Sequence, residues 1–138
     1  MIRSADLGLN QMGEEVMTER SHSEYLQSVA AIQSAILKTE RALTQMCEKG
    51  RNITLISKRL AALHLGLAIL TEDSDLLPDK YRSEDFQETR KMLMGLLSSI
   101  DRIYNRLKPG SPQHTLLTRR RAAIQTIIEN IVKICSTQ

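Results

Sequence analysis

Apolar residues recur along most of the chain at alternating steps of three and four. That spacing predicts helices and not strands. From Ser23, the residues Val29, Ile32, Ile36, Leu43 and Met46 mark one helix face, with Thr39 the one polar residue on it. Ser23 is a candidate N-cap with Glu24 in the first turn, and Gly50 is placed to stop the helix in the left-handed conformation. Asn52 is predicted to cap a second helix with the stripe Ile53, Ile56, Leu60, Leu63, Leu67 and Leu70, the narrow seam of a coiled-coil-like bundle. Its second half, Leu60 to Leu70, is apolar nearly all round and carries one histidine, His64. Such a helix is buried on more than one side, either at the centre of a bundle or in a subunit interface.

Thr71 to Arg82 reads as a connection, with Pro78 and the acids Asp73, Asp75 and Asp79. Ser83 is predicted to cap the third helix, with Glu84 and Asp85 in its first turn. Phe86 leads into its stripe of Leu93, Leu96, Ile100, Ile103 and Leu107, and Lys108-Pro109-Gly110 ends it. Ser111 followed by Pro112 is an N-cap with proline at the first helical position. The last helix carries Leu117, Ile124, Ile127, Ile131 and Ile134. Residues 1–22 are weakly patterned and interrupted by Gly8 and Gly13, so they read as an N-terminal arm, flexible or helical, ahead of a bundle over residues 23–138. The expected fold is all-α: an antiparallel, up-down-up-down four-helix bundle, with a dimer of helical hairpins as the main alternative.

Composition narrows the class. A length of 138 residues suits a single domain. With aromatics at 3%, no Trp and one Phe, the core must be built from aliphatic residues, Met and Ala, as helical proteins allow. No run of about 18 apolar residues suggests a membrane span, and no signal peptide is apparent, so the cytoplasm is the default expectation. Cys47 and Cys135 are too few for a disulfide scaffold, and the bundle would put them at opposite ends.

The net charge of +3 is mild, but its distribution is uneven. The predicted topology gathers Lys49, Arg51, Lys58, Arg59, Arg102, Arg106, Lys108, Arg119, Arg120 and Arg121 at one end. It leaves the acidic stretch 72–85 at the other. Arg51, Arg102, Arg106, Lys108, Arg119, Arg120 and Arg121 therefore form a candidate anion site for phosphate, a nucleic-acid backbone or an acidic partner. The bland alternative is a solvated surface whose arginines pair with Asp101 or Glu48. Nucleic acid is the weaker option, because the patch lacks aromatics for stacking and no zinc-finger or RNA-recognition signature is present.

Catalytic motifs are sparse. Arg59 and His64 stand at the Arg-x4-His spacing of the HEPN ribonucleases, a four-helical family, but Leu60 replaces the polar residue that usually follows the arginine. A phosphotransfer histidine would have a nearby lysine, and His64 is followed by Leu65 and Gly66. The alternative for His64 is a partly buried histidine bonded to a neighbour. No His or Cys pair has metal-ligand spacing, no Glu-x2-His pair suits a di-iron bundle, and no nucleophile or phosphate-loop motif occurs. No cofactor, metal or catalytic residue is expected. The leading expectation is a non-catalytic helical interaction module, an adaptor, chaperone or regulator that binds a protein partner. A homodimer through the second helix would use Leu60, Leu63, Leu65, Leu67 and Ile69. Met92 and Met94 could line an adaptable groove for a partner helix, but the first expectation for both is to fill gaps in the core.

Overall fold

The computed structural model describes residues 8–72 and 77–136, with side chains from residue 22 onward. Among these residues every regular element is a helix: α1 (Gly8–Glu48), α2 (Thr54–Thr71), α3 (Leu77–Lys80), α4 (Ser83–Tyr104) and α5 (Pro112–Ser136). Part of the expected N-terminal arm, residues 1–7, lies outside the described residues. From Gly8 the backbone is one continuous helix of 41 residues, so Ser23 is inside α1 and does not cap it.

The helix ends follow local chemistry. Gly50 adopts a φ of 67°, and the amides of Gly50 and Arg51 donate to the carbonyls of Cys47 and Met46. This crossed pair is the Schellman arrangement, which satisfies carbonyls that the helix end would leave open. The Asn52 side chain accepts the Thr54 amide at 2.9 Å, but Ile53, one residue after the predicted Asn52, holds the cap position of α2. At the start of α5 the Ser111 hydroxyl accepts the His114 amide at 3.2 Å, as predicted. The start of α4 differs. Arg82 and not Ser83 holds the cap position, and the Asp85 carboxylate reaches back to accept the Arg82 amide at 2.9 Å.

The connection after α2 holds one element that periodicity did not predict. The single-turn helix α3 plants Leu77 fully inside the protein. Glu72 and Lys80 clasp the ends of this connection with an ion pair at 2.5 Å. The Glu72 carboxylate holds the Lys80 ammonium above its ordinary pKa, first through this hydrogen bond and then through its charge.

The core draws on every helix: Ile32 and Ile36 from α1, Leu63 and Ile69 from α2, Leu77 from α3, Phe86 and Leu93 from α4, and Ile124, Ile127 and Ile131 from α5. Helix α1 packs on α2 and α5, and α4 packs on the same two. α2 also approaches α5 through Gly66, where an added Cβ would lie 2.9 Å from Ile127 Cδ1. Three packing partners explain why α2 is apolar nearly all round. By length and composition α2 is apolar enough to cross a membrane, yet its residues Ala62, Leu63, Leu65, Gly66, Ala68 and Ile69 are buried against the other helices.

That packing changes the expected dimer face. Leu63, Leu65 and Ile69 are buried in the single chain, and Leu60 and Leu67 are half-buried against the same core. Leu55, earlier on the same helix, keeps 55% of its surface exposed.

Candidate functional site

Three consecutive arginines cannot form one patch on a helix, because each residue turns the side chain by about 100°. Arg121 reaches α4 and pairs with Asp101, Nε to Oδ1, at 2.7 Å. Arg120 is half-buried, its Nε has no hydrogen-bond partner, and burial pushes its guanidinium below its ordinary pKa. Arg119 is exposed beside α1 and lines clefts on both sides of the α1–α5 seam. The remaining candidates Arg51, Arg102, Arg106 and Lys108 are exposed, and Arg102 donates to Ser99 Oγ at 3.2 Å. Two of the three α5 arginines therefore have structural surroundings that do not favour a shared anion.

The α4–α5 end is fastened by His114, in the first turn of α5. Its ring stacks on Tyr104 with centroids 4.3 Å apart. The Thr118 hydroxyl donates to the His114 carbonyl at 2.8 Å and lies 3.2 Å from the Tyr104 hydroxyl.

His64 is exposed and not partly buried, and Arg59 is half-buried. Five residues apart, they leave the helix about 140° from one another, so they do not converge on one substrate. Among the described residues, no group of three or more His, Cys, Asp or Glu could hold a metal ion. Both cysteines are free, and Cys135 Sγ accepts Gln87 Nε2 at 3.4 Å.

Among the described residues, one concave surface lies between α2 and α4. It is an open groove of about 590 Å³. Lys58, Ala61, Ala62 and Leu65 supply one wall, at the three-and-four spacing of a single helix face. Asp85, Glu88, Thr89 and Met92 supply the other wall at the same spacing, and Tyr81 closes one end. Ala62, Leu65 and Thr89 are buried and form the floor. The two alanines keep the floor low where longer side chains would have filled it. Tyr81 is held edge-on against the buried Phe86, with ring centroids 6.1 Å apart. One rim is basic, at Lys58, and the other acidic, at Asp85 and Glu88. Of the two methionines, Met92 packs against the core, as first expected, and also lines the groove, whereas Met94 is exposed outside this lining. The sequence signal for the groove was the alanine pair on α2, which stripe-reading treats as ordinary apolar surface.

No protein family, no curated protein and no solved structure matches this chain.

Proposed function

We propose that α1, α2, α4 and α5 form an antiparallel four-helix bundle that serves as a non-catalytic, cytoplasmic interaction module, and that its α2–α4 groove takes a helix of a protein partner. Short connections support the bundle: residues 49–53 join α1 to α2, and residues 105–111 join α4 to α5. Contacts between α4 and α5 run in opposite numerical order, from Tyr104–His114 through Asp101–Arg121 to Gln87–Cys135, which is the mark of antiparallel neighbours. Two unpaired thiols suit a reducing compartment.

The observation that carries the functional reading is the groove. A trough between two helices, with a small-residue floor and polar rims, is the receptor half of helix-in-groove recognition. Its rims carry opposite charges, so a guest helix has a favoured orientation: a basic edge toward Asp85 and Glu88, an acidic edge toward Lys58. Neither Lys58 nor Glu88 is in an ion pair within the described residues.

Placing a long side chain on the groove wall tests the reading. Ala61 is exposed, so Ala61→Arg should leave the helical content unchanged while filling the groove. A partner captured from the native host by the unaltered protein should be lost with Ala61→Arg. It should be retained with Leu55→Arg, an exposed position outside the groove lining. Capture that survives Ala61→Arg, or that Leu55→Arg abolishes equally, removes the groove as the binding site.

A further inference from the structure

We infer that the α2–α4 groove selects a guest helix with a basic side chain, arginine or lysine, at the middle of its inward face, and that the Thr89 hydroxyl is the group that selects it. The inference rests on the groove being a helix-binding site and names what the guest must bring to it. Among the described residues Thr89 is the one buried polar side chain, at 5% exposure. Thr39, Thr44, Thr71, Thr118 and Thr126 each turn the hydroxyl onto the carbonyl four residues back. Thr89 does not, and its hydroxyl has no hydrogen-bond partner among the described residues. Nor is that oxygen sealed in the core, because the sealed side-chain atoms without a partner are Arg90 Nε and Arg120 Nε. What Thr89 still exposes opens into the groove that it lines.

Water can satisfy this hydroxyl while the groove is open. A guest that covers the floor expels that water, and a buried hydroxyl left unpaired then costs about 1–3 kcal/mol. A guest whose inward face is wholly apolar incurs this cost. A guest that places a hydrogen-bonding group over Thr89 does not. The floor therefore discriminates against the plain leucine stripe that its apolar neighbours Ala62 and Leu65 would otherwise favour.

Charge decides which hydrogen-bonding group fits. At about 100° per residue, the α4 wall occupies one arc of about 100°, from Thr89 at the floor through Asp85 and Met92 to Glu88 at the rim. Two carboxylates thus share the face of the hydroxyl, and Glu88 is in no ion pair within the described residues. They repel an acceptor such as a guest carboxylate and attract a positively charged donor. Such a donor also makes the stronger bond, since charge assistance roughly doubles a hydrogen bond. Arginine and lysine match the rest of the lining. Their methylene stems lie well on apolar surface while the head stays polar, and Ala61 and Ala62 leave room for a stem. Lys58, on the opposite wall, keeps the guest's cation on the α4 side.

A phage-displayed library of helical peptides, randomised on one face and selected on the full chain, tests this. The selected peptides should share one arginine or lysine among their apolar inward positions, and Ala61→Arg should abolish their binding. Thr89→Val keeps the shape of the side chain and removes the hydroxyl. It should weaken the best peptide about tenfold, whereas Thr89→Ser should retain it. A second peptide, with the basic residue replaced by Met, should bind the unaltered chain about tenfold more weakly and bind Thr89→Val at least as well as the first peptide does. A purely structural role for Thr89 would instead weaken both peptides equally. Peptides that bind Ala61→Arg unchanged, or a library that yields no binder, remove the groove and this inference together. Peptides that Ala61→Arg blocks, but whose inward face is wholly apolar or which Thr89→Val weakens equally, overturn this inference and leave the groove standing.

Discussion

Gly66 and Gly95 both sit inside helices, and adding one methyl group to each should have opposite effects. A glycine within a helix is about 1 kcal/mol less favourable than alanine, because more backbone freedom is lost on folding. At Gly95, on α4, an added Cβ meets nothing within 4 Å. Gly95→Ala should therefore stabilise the protein by about 1 kcal/mol. At Gly66 the same atom would stand 2.9 Å from Ile127 Cδ1, and Ile127 is wholly buried, so its terminal methyl has little room to swing away. Overpacking typically costs about 1–3 kcal/mol, which outweighs the propensity gain. Gly66→Ala should destabilise by about 1 kcal/mol. Ile127→Val deletes the obstructing methyl, so in that background Gly66→Ala should become neutral or favourable. Urea denaturation of the four chains closes the cycle, and simple additivity would refute the proposed clash. In the sequence these two glycines look alike. Only the approach of α5 to α2 separates them.

Among the elements, helix ends written in a few adjacent residues were readable, and those that depend on distant packing were not. Gly50 and the Ser111-Pro112 pair each act within one turn of their own position, and the structure finds each where expected, whereas the cap of α2 moved from Asn52 to Ile53. The cap of α4 shifted by one residue because Asp85 accepts the amide of Arg82, a choice that Ser83 could equally have invited. Helix α3 escaped notice because four residues carry no period, and Leu77-Pro78-Asp79 reads as a turn. Its position rests on the burial of Leu77 in a core assembled from the other helices. Two substitutions measure these different origins. Gly50→Ala forces a side chain into left-handed backbone and should cost about 1–2 kcal/mol, with α1 otherwise intact. Leu77→Ala should cost about 2–5 kcal/mol, since it empties a fully buried site and frees the connection it anchors. Thermal or urea melts rank the two, and an equal or smaller loss at Leu77 would mean that α3 is not held by its burial.

Across the whole molecule, hydrophobic periodicity revealed the all-helical class and most of the core, but it could not say where the surplus apolar surface of α2 would go, nor which charges would meet. Both depend on how helices are arranged around one another. The three arginines of α5 show the consequence, because each faces a different part of the protein. Arg121 meets Asp101 with both side chains more than two-fifths exposed, and solvent screening makes such a pair worth little, so Arg121→Gln should lower stability by less than about 1 kcal/mol. Arg120 is half-buried with an unpartnered Nε, and a flexible apolar chain would fill the same space without stranding a polar atom. Arg120→Met should therefore leave stability equal or raised. Arg119, exposed at the α1–α5 seam, should change melting least of the three. If the basic end instead acts as one anion site, the three substitutions will share a single signature: retention on a heparin column will fall by similar steps for each, and the effects on stability will not sort by residue. Measuring melting and heparin elution on the same three chains decides between a dispersed triplet and a common site.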